Sequence, residues 1–294
     1  MDGVETVKKY GAQDMVSPLR KVLVKRPDRA FEVKDPKKWH YTSRPNLYRS
    51  TVEHDYLVNQ LKQHNVQVYY HSEYYPELAD SIFVFDPVLI TKKGAVILRM
   101  GKVLRRGEED AMEKCLTKLG IPILYRLDGD ATAEGGDTVW LDENTLLVGQ
   151  GYRTNAEGLK QLQEALDPIG VDVIGVDLPN WEGKDACLHL MSLISPVDVT
   201  KAVVYKKLLP VKAVKLLEER GYTFIEVPDE EFLTMGPNVL TIRPGLVVAL
   251  NSNPITIKRM EQSGIRVIKY RGDEISHKAE GGPTCLTRPL LREF

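Results

Sequence analysis

The feature that most restricts how this chain can fold is a repeat: two short β-branched strands, an amphipathic helix and a further strand return about every 45–50 residues. The first unit reads as a strand at 22–24, a helix over 52–63 and a strand at 66–70. The second opens with strands at 81–85 and 88–91, then a helix over 109–119 and a strand at 121–125. The third has strands at 138–141 and 146–149, a helix over 156–166 and a strand at 171–176, before Pro179-Asn180 breaks the pattern. The fourth takes strands at 189–194 and 202–205, a helix over 211–220 stopped by Gly221, and a strand at 223–227. The fifth takes strands at 239–242 and 246–250, a helix over 255–262 and a strand at 266–270.

One such module cannot bury both faces of its sheet, but five arranged radially share a core, and the segment after Gly282 can close the ring. The expected fold is therefore α/β: a five-bladed α/β propeller of five ββαβ modules around a central channel, with 1–294 forming a single domain. A doubly wound α/β sheet is the alternative. The pattern favours the ring, because pairs joined at Pro87, at Asp142-Glu143-Asn144 and at Pro244-Gly245 read as hairpins, each followed by one helix. The longest irregular stretch, 28–49, contains Pro36, Trp39, His40 and Pro45 and reads as a surface loop, with a flap over a site as the second reading. The segment 11–17 is a second lid candidate.

Forty basic residues against 41 acidic ones leave a formal charge of −1, so no overall field draws nucleic acid or anionic membrane to the chain. No stretch approaches a membrane span, and the opening Met1-Asp2-Gly3-Val4-Glu5 lacks the basic and apolar regions of a secretory signal. A cytoplasmic protein with a small-molecule partner is expected, and homo-oligomerisation is left open. Cys115, Cys187 and Cys285 are odd in number and widely spaced, which argues for free thiols and offers no metal-binding pair.

Of the three, Cys285 has a distinctive setting. Gly281-Gly282-Pro283-Thr284 ahead of it describes a shaped turn that lets a substrate approach a thiol, whereas Cys115 and Cys187 read as small buried hydrophobes. A thiol of ordinary pKa, about 8.5, needs a nearby positive charge to react at neutral pH, and His189, at the start of a strand, is the best-placed imidazole. Asp80 and Asp86 flank the apolar run 81–85, and Glu134 precedes Gly135-Gly136. If these acids converge in a water-poor channel they select a delocalised cation such as guanidinium, and Arg105 and Arg153 can then hold a carboxylate at its far end.

Taken in order, these residues resemble the guanidine-modifying enzymes of the pentein superfamily, particularly dimethylarginine dimethylaminohydrolases and, less closely, arginine deiminases. The segment 20–24 is similar to their opening strand, 80–86 to the first substrate-binding motif, Glu134-Gly135-Gly136-Asp137 to the acidic Gly-Gly motif, 151–155 to the segment bearing a carboxylate-binding arginine, and 282–285 to the nucleophile motif. The resemblance implies the five-bladed propeller independently. It also implies attack by Cys285 on the guanidinium carbon, with Asp86 and Glu134 orienting the cation, His189 as general acid and base, and a covalent thiouronium hydrolysed to a urea-type product such as citrulline, with no cofactor or metal. Arg105, or the adjacent Arg106, corresponds to the other carboxylate-binding arginine. Two positions depart from the pattern: Phe85 stands where dimethylargininases often carry an acid, and Met191 where arginine deiminases and amidinotransferases usually carry an aspartate. Arginine deiminase or dihydrolase activity is the runner-up, followed by an amidinotransferase and by a non-catalytic binding protein of the same fold.

Overall fold

The computed structural model describes Val7, residues 9–184, Ala186 and residues 188–293; Cys187 lies outside the described residues. Among the described residues there are five three-stranded sheets, each an antiparallel pair extended by a parallel strand that returns through a helix. The second sheet contains β3 (Val88–Thr91), β4 (Gly94–Ile97) and β5 (Ile123–Arg126), with α3 (Glu108–Lys118) as the crossover. The third is β6 (Thr138–Asp142), β7 (Thr145–Gln150) and β8 (Asp172–Asp177) around α4 (Ala156–Leu166). The fourth is β9 (Ile194–Asp198), β10 (Lys201–Val204) and β11 (Thr223–Glu226) around α5 (Val211–Glu219). The fifth is β12 (Leu240–Arg243), β13 (Leu246–Leu250) and β14 (Arg266–Tyr270) around α6 (Pro254–Gln262).

The first sheet joins the two ends of the chain. β1 (Leu19–Val24) runs parallel to β2 (Gln67–Tyr70) through α2 (Leu47–Gln63), while its antiparallel partner is the last strand, β15 (Arg288–Arg292), with Leu23 opposite Arg288. The segment after Gly282 thus closes the ring, as expected from the repeat, and leaves the first module as complete as the other four.

Local chemistry explains the elements. Asn155 caps α4 by accepting from the Gly158 amide at 2.7 Å, and Asn46 caps α2 through the Arg49 amide at 3.0 Å. The β6–β7 turn is set by Asp142, whose carboxylate accepts the Asn144 amide at 2.8 Å. The middle strands β4, β7, β10 and β13 are buried on both faces, as Val96/Ile97, Leu147/Val148, Val203/Val204 and Val247/Val248 show, and the helices of the modules pack apolar stripes such as Leu57/Leu61, Met112/Leu116, Leu162/Leu166 and Ala213/Leu217.

Two expected strand segments are turns, and α2 begins at Leu47 rather than at the expected 52. The run 81–85 is not a strand: Ala79–Ile82 forms a 3-10 turn, and the hairpin of that blade is β3–β4. His189 likewise does not open a strand but caps a 3-10 turn over Leu190–Ser192. Both runs are almost wholly buried, so apolar content alone could not separate strand from turn. The stretch 28–49 is largely irregular, with a short helix α1 (Pro36–Trp39) and the first turn of α2.

Candidate active site

Each blade reaches the site from the same place, the irregular segment leading into its first strand. Asp86 precedes β3, Glu134 precedes β6, His189 precedes β9, Asn238 precedes β12 and Cys285 precedes β15. Five sequence-distant side chains therefore meet at one end of the ring.

Glu134 is fully buried and forms the hub. Its Oε2 lies 2.7 Å from His189 Nε2 and accepts from Arg153 Nη1 at 3.1 Å, while its Oε1 accepts the amides of Gly101 and Lys102, each at 3.0 Å. Burial opposes the charge, but Arg153 and the His189 hydrogen bond outweigh it and hold this carboxyl well below the usual carboxylate range. Asp86 accepts the Gly136 amide at 2.8 Å through Oδ1 and pairs with Arg105 at 2.6 Å through Oδ2. One ligand atom each from Asp86, Glu134 and His189 lies within 4.8 Å of the others. A cation would fit among them, and Arg105 and Arg153 already balance the carboxylates. A delocalised, planar cation that offers N–H donors suits these acceptors better than a compact ion.

Cys285 faces the same space. Its Sγ accepts from Asn238 Nδ2 at 3.2 Å, and Asn238 Oδ1 in turn accepts the Thr284 amide at 3.1 Å, so one side chain holds both the sulfur and the turn that presents it. Burial, reinforced by Asp86, pushes the thiol up to about 11, while Asn238 and His189 pull the other way. The glycines are explained by close approaches. A Cβ on Gly136 would lie 2.7 Å from His189 Cγ and 3.0 Å from Asp86 Oδ1, and one on Gly281 would lie 2.6 Å from Phe83 Cδ1.

Two lobes meet at the sulfur. A polar one of about 50 Å³ is lined by Asp80, Asp86, Lys102, Arg105, Arg153 and His189 and covered by Trp39 and His40 from the 28–49 stretch. Lys102 ties that cover down, donating to the Trp39 carbonyl at 2.9 Å and to Asp80 at 2.6 Å. Tyr41 of the same stretch donates to the other Asp80 oxygen, also at 2.6 Å. The second lobe, about 140 Å³, is lined mainly by apolar and aromatic side chains and shares Cys285, His189 and Glu280 with the first. A larger cavity of about 650 Å³, lined by residues such as Tyr10, Asp14, Trp140 and Arg292, contains none of these site residues.

The structure thus brings together Cys285, His189, Glu134, Asp86 and Arg153, with Asp80 on the wall of the polar lobe. Arg105 is buried among Asp86, Glu108 and the Phe83 carbonyl, so the carboxylates it holds belong to this chain; Arg106 is exposed. Asn238 was missed by sequence reading. The available signal was its position two residues ahead of a blade's first strand, matching that of Asp86. Asp137 also gains a place: it accepts from Thr154 Oγ1 at 2.7 Å and from the Leu190 amide at 3.1 Å, tying the segment of Arg153 to that of His189. Burial pushes Asp137 up to about 6, against the pull of His189.

Residues 33–292 match the family described as N,N dimethylarginine dimethylhydrolase, eukaryotic. Among relatives, the protein YkgA of Bacillus subtilis is 28% identical over 93% of this chain and 92% of its own length. A dimethylarginine dimethylaminohydrolase of Streptomyces coelicolor is 30% identical over 73% of this chain and 76% of that protein. An arginine deiminase of Mycoplasma capricolum is 29% identical over 74% of this chain, but the match spans only 64% of the deiminase. The fold is shared with a mutant Pseudomonas aeruginosa dimethylarginine dimethylaminohydrolase solved with citrulline, with TM-score 0.77 and 23% identity over 92% of this chain and 98% of that one. It is equally close to the N-terminal domain of a cyanobacterial arginine dihydrolase, with TM-score 0.79 and 18% identity over 92% of this chain and 97% of that one.

Proposed function

We propose, from the premise that this chain belongs to the N,N dimethylarginine dimethylhydrolase family, that it is a cysteine-dependent hydrolase of C–N bonds in guanidino compounds. The observation that carries the reading is the shared cavity of Cys285 and His189, with His189 bonded to Glu134 and Asp86 beside it.

Asp86 and Glu134, fixed by backbone amides and arginines, accept N–H groups of the guanidinium and set its plane. The bound cation offsets the burial that keeps the free thiol protonated, so Cys285 loses its proton to solvent and its sulfur attacks the guanidinium carbon. His189 gives a proton to the departing nitrogen, the C–N bond breaks, and a thiouronium remains on the sulfur. His189 then takes a proton from water as the oxygen adds to the same carbon. The C–S bond breaks, the electrons return to sulfur, and a urea-type product leaves. Methylated arginine or arginine as substrate gives citrulline plus an alkylamine or ammonia, and the charged walls of the polar lobe suit the amino-acid end. At about 50 Å³ that lobe takes a group of guanidinium size, so the amino-acid end enters with the Trp39 cover raised.

A second reading, arginine deiminase or dihydrolase activity, draws on the deiminase relatives and the dihydrolase fold neighbour. Against it, Met191 leaves no acid two residues after His189. The test is product identification on arginine, Nω-monomethylarginine and asymmetric dimethylarginine with the wild type and Cys285→Ser. We expect citrulline from at least one substrate, and loss of at least about 10³-fold in kcat on substitution. Retained turnover by Cys285→Ser overturns the nucleophile, and no turnover of any of the three by the wild type overturns the substrate class.

A further inference from the structure

The two lobes that meet at Cys285 differ in kind, and the difference concerns which guanidine the site takes. The polar lobe is crowded with charge, whereas the other is walled by Phe85, Trp181, Met191, Phe232, Leu233 and Met235. Its aromatic wall is braced: Trp181 meets Phe232 edge-on at 5.3 Å between centroids, and Phe232 stacks on Tyr205 at 4.1 Å. Glu182, exposed, and Glu280, also exposed, are its acids.

We infer that this lobe receives an apolar substituent on a guanidine nitrogen, and that the substrate class is N-alkylated guanidino compounds with an alkyl group larger than methyl. The inference rests on the guanidine-hydrolase reading above and refines it. Asp86 accepts a single donor on each oxygen, Gly136 N–H and Arg105, so lone pairs remain on it for guanidinium N–H groups. A nitrogen that has exchanged a hydrogen for carbon leaves such an acceptor short of a partner, a costly arrangement in a buried site. The substituted nitrogen is therefore turned away from the carboxylates, and His189, which lines both lobes, meets it at the boundary where the departing amine collects its proton. At about 140 Å³ the lobe has room for about four water-sized groups, so a methyl leaves most of it empty and a chain of three or four carbons fills it. Phe85 and Met191, the two positions where an acid is absent, are both on its wall.

The experiment is steady-state kinetics on an Nω-alkyl-L-arginine series, methyl, ethyl, propyl and butyl, with the wild type and Leu233→Asp. Leu233 is 73% exposed, so the substitution puts a charge at the lobe without disturbing the core. We expect kcat/KM to rise roughly fourfold per added carbon through butyl, and the butyl-to-methyl ratio to drop at least about tenfold in Leu233→Asp. If the methyl compound is consumed but kcat/KM falls with chain length, or if Leu233→Asp lowers every member alike, the substituent does not occupy this lobe and the inference fails while guanidine hydrolysis stands. If no member is consumed and arginine is not either, the hydrolase reading itself fails, and this refinement with it.

Discussion

The sulfur of Cys285 sits between opposing influences. Burial and Asp86 keep its proton on, pushing the thiol up to about 11, and the Asn238 amide and His189 work to release it. In the free protein the thiol form therefore dominates at neutral pH, and on the proposed function the arrival of a cation is what releases the proton. Because the folded-state value is raised, reactivity of the free protein should increase with pH by about tenfold per unit between pH 7 and 10. Carbamidomethylation of Cys285 by iodoacetamide, followed by peptide mass spectrometry, measures this. Asn238→Ala, which removes the donor at 3.2 Å, should slow labelling at pH 9 severalfold. A labelling rate that levels off by pH 8 would contradict the account. Arg288 shows the same influence of burial on a base: stacked on Phe85 with its guanidinium carbon 3.6 Å from the ring centroid, it is lowered to about 9 by desolvation.

At the scale of elements, the site depends on how short turns pack rather than on the strands they lead into. The turn Gly135–Asp137 passes so close to the His189 ring that Gly136 has no room for a side chain. Gly136→Ala should displace the ring from Glu134 and lower kcat/KM at least about hundredfold, with an unchanged far-ultraviolet circular dichroism spectrum. Activity within tenfold of the wild type would show that the ring position is not needed. Such turns are also where sequence reading fell short. The helices and most strands carry their own periodicity, and α4 occupies the residues expected from it. The run 81–85 is apolar without being extended, because Ile82 and Phe83 are buried by packing while the Phe83 carbonyl is taken by Arg105, a contact from 22 residues away. Asn238 carried no chemical cue at all, since an amide becomes a sulfur ligand only when a residue 47 positions away is brought to it.

For the whole molecule, closure through β15 and β1 holds Cys285 three residues ahead of the closing strand, so the strand that completes the ring also fixes the sulfur. Buried ionisable groups outside the site set how the ring responds to acid. His54, fully buried on α2 beside Asp55 and Arg26, is lowered to about 4 by burial. Its folded-state value lies below the ordinary one, so its neutral form contributes stability that is complete above about pH 6.5 and lost as pH falls toward 4. Asp137, raised to about 6, and Glu108, raised to about 7, both by burial, act oppositely: their contribution is present below pH 4 and lost as pH rises through 6 to 7. The histidine effect is isolated by comparing denaturant unfolding of the wild type and His54→Leu at pH 7 and pH 4.5. The variant should lose less stability between the two, by about 2–3 kcal/mol, and an equal loss would refute the assignment. The sequence by itself determined the number of modules, the ring and the family of chemistry, because hydrophobic period and a spaced set of motifs are local properties of the chain. Tertiary structure alone decided that Arg105 serves Asp86 and Glu108 of its own chain, that Asn238 steadies the sulfur, and that a charged lobe and a largely apolar lobe share one cysteine. These are matters of distance between blades, and the packing that sets such distances leaves no periodic mark on the residues it joins.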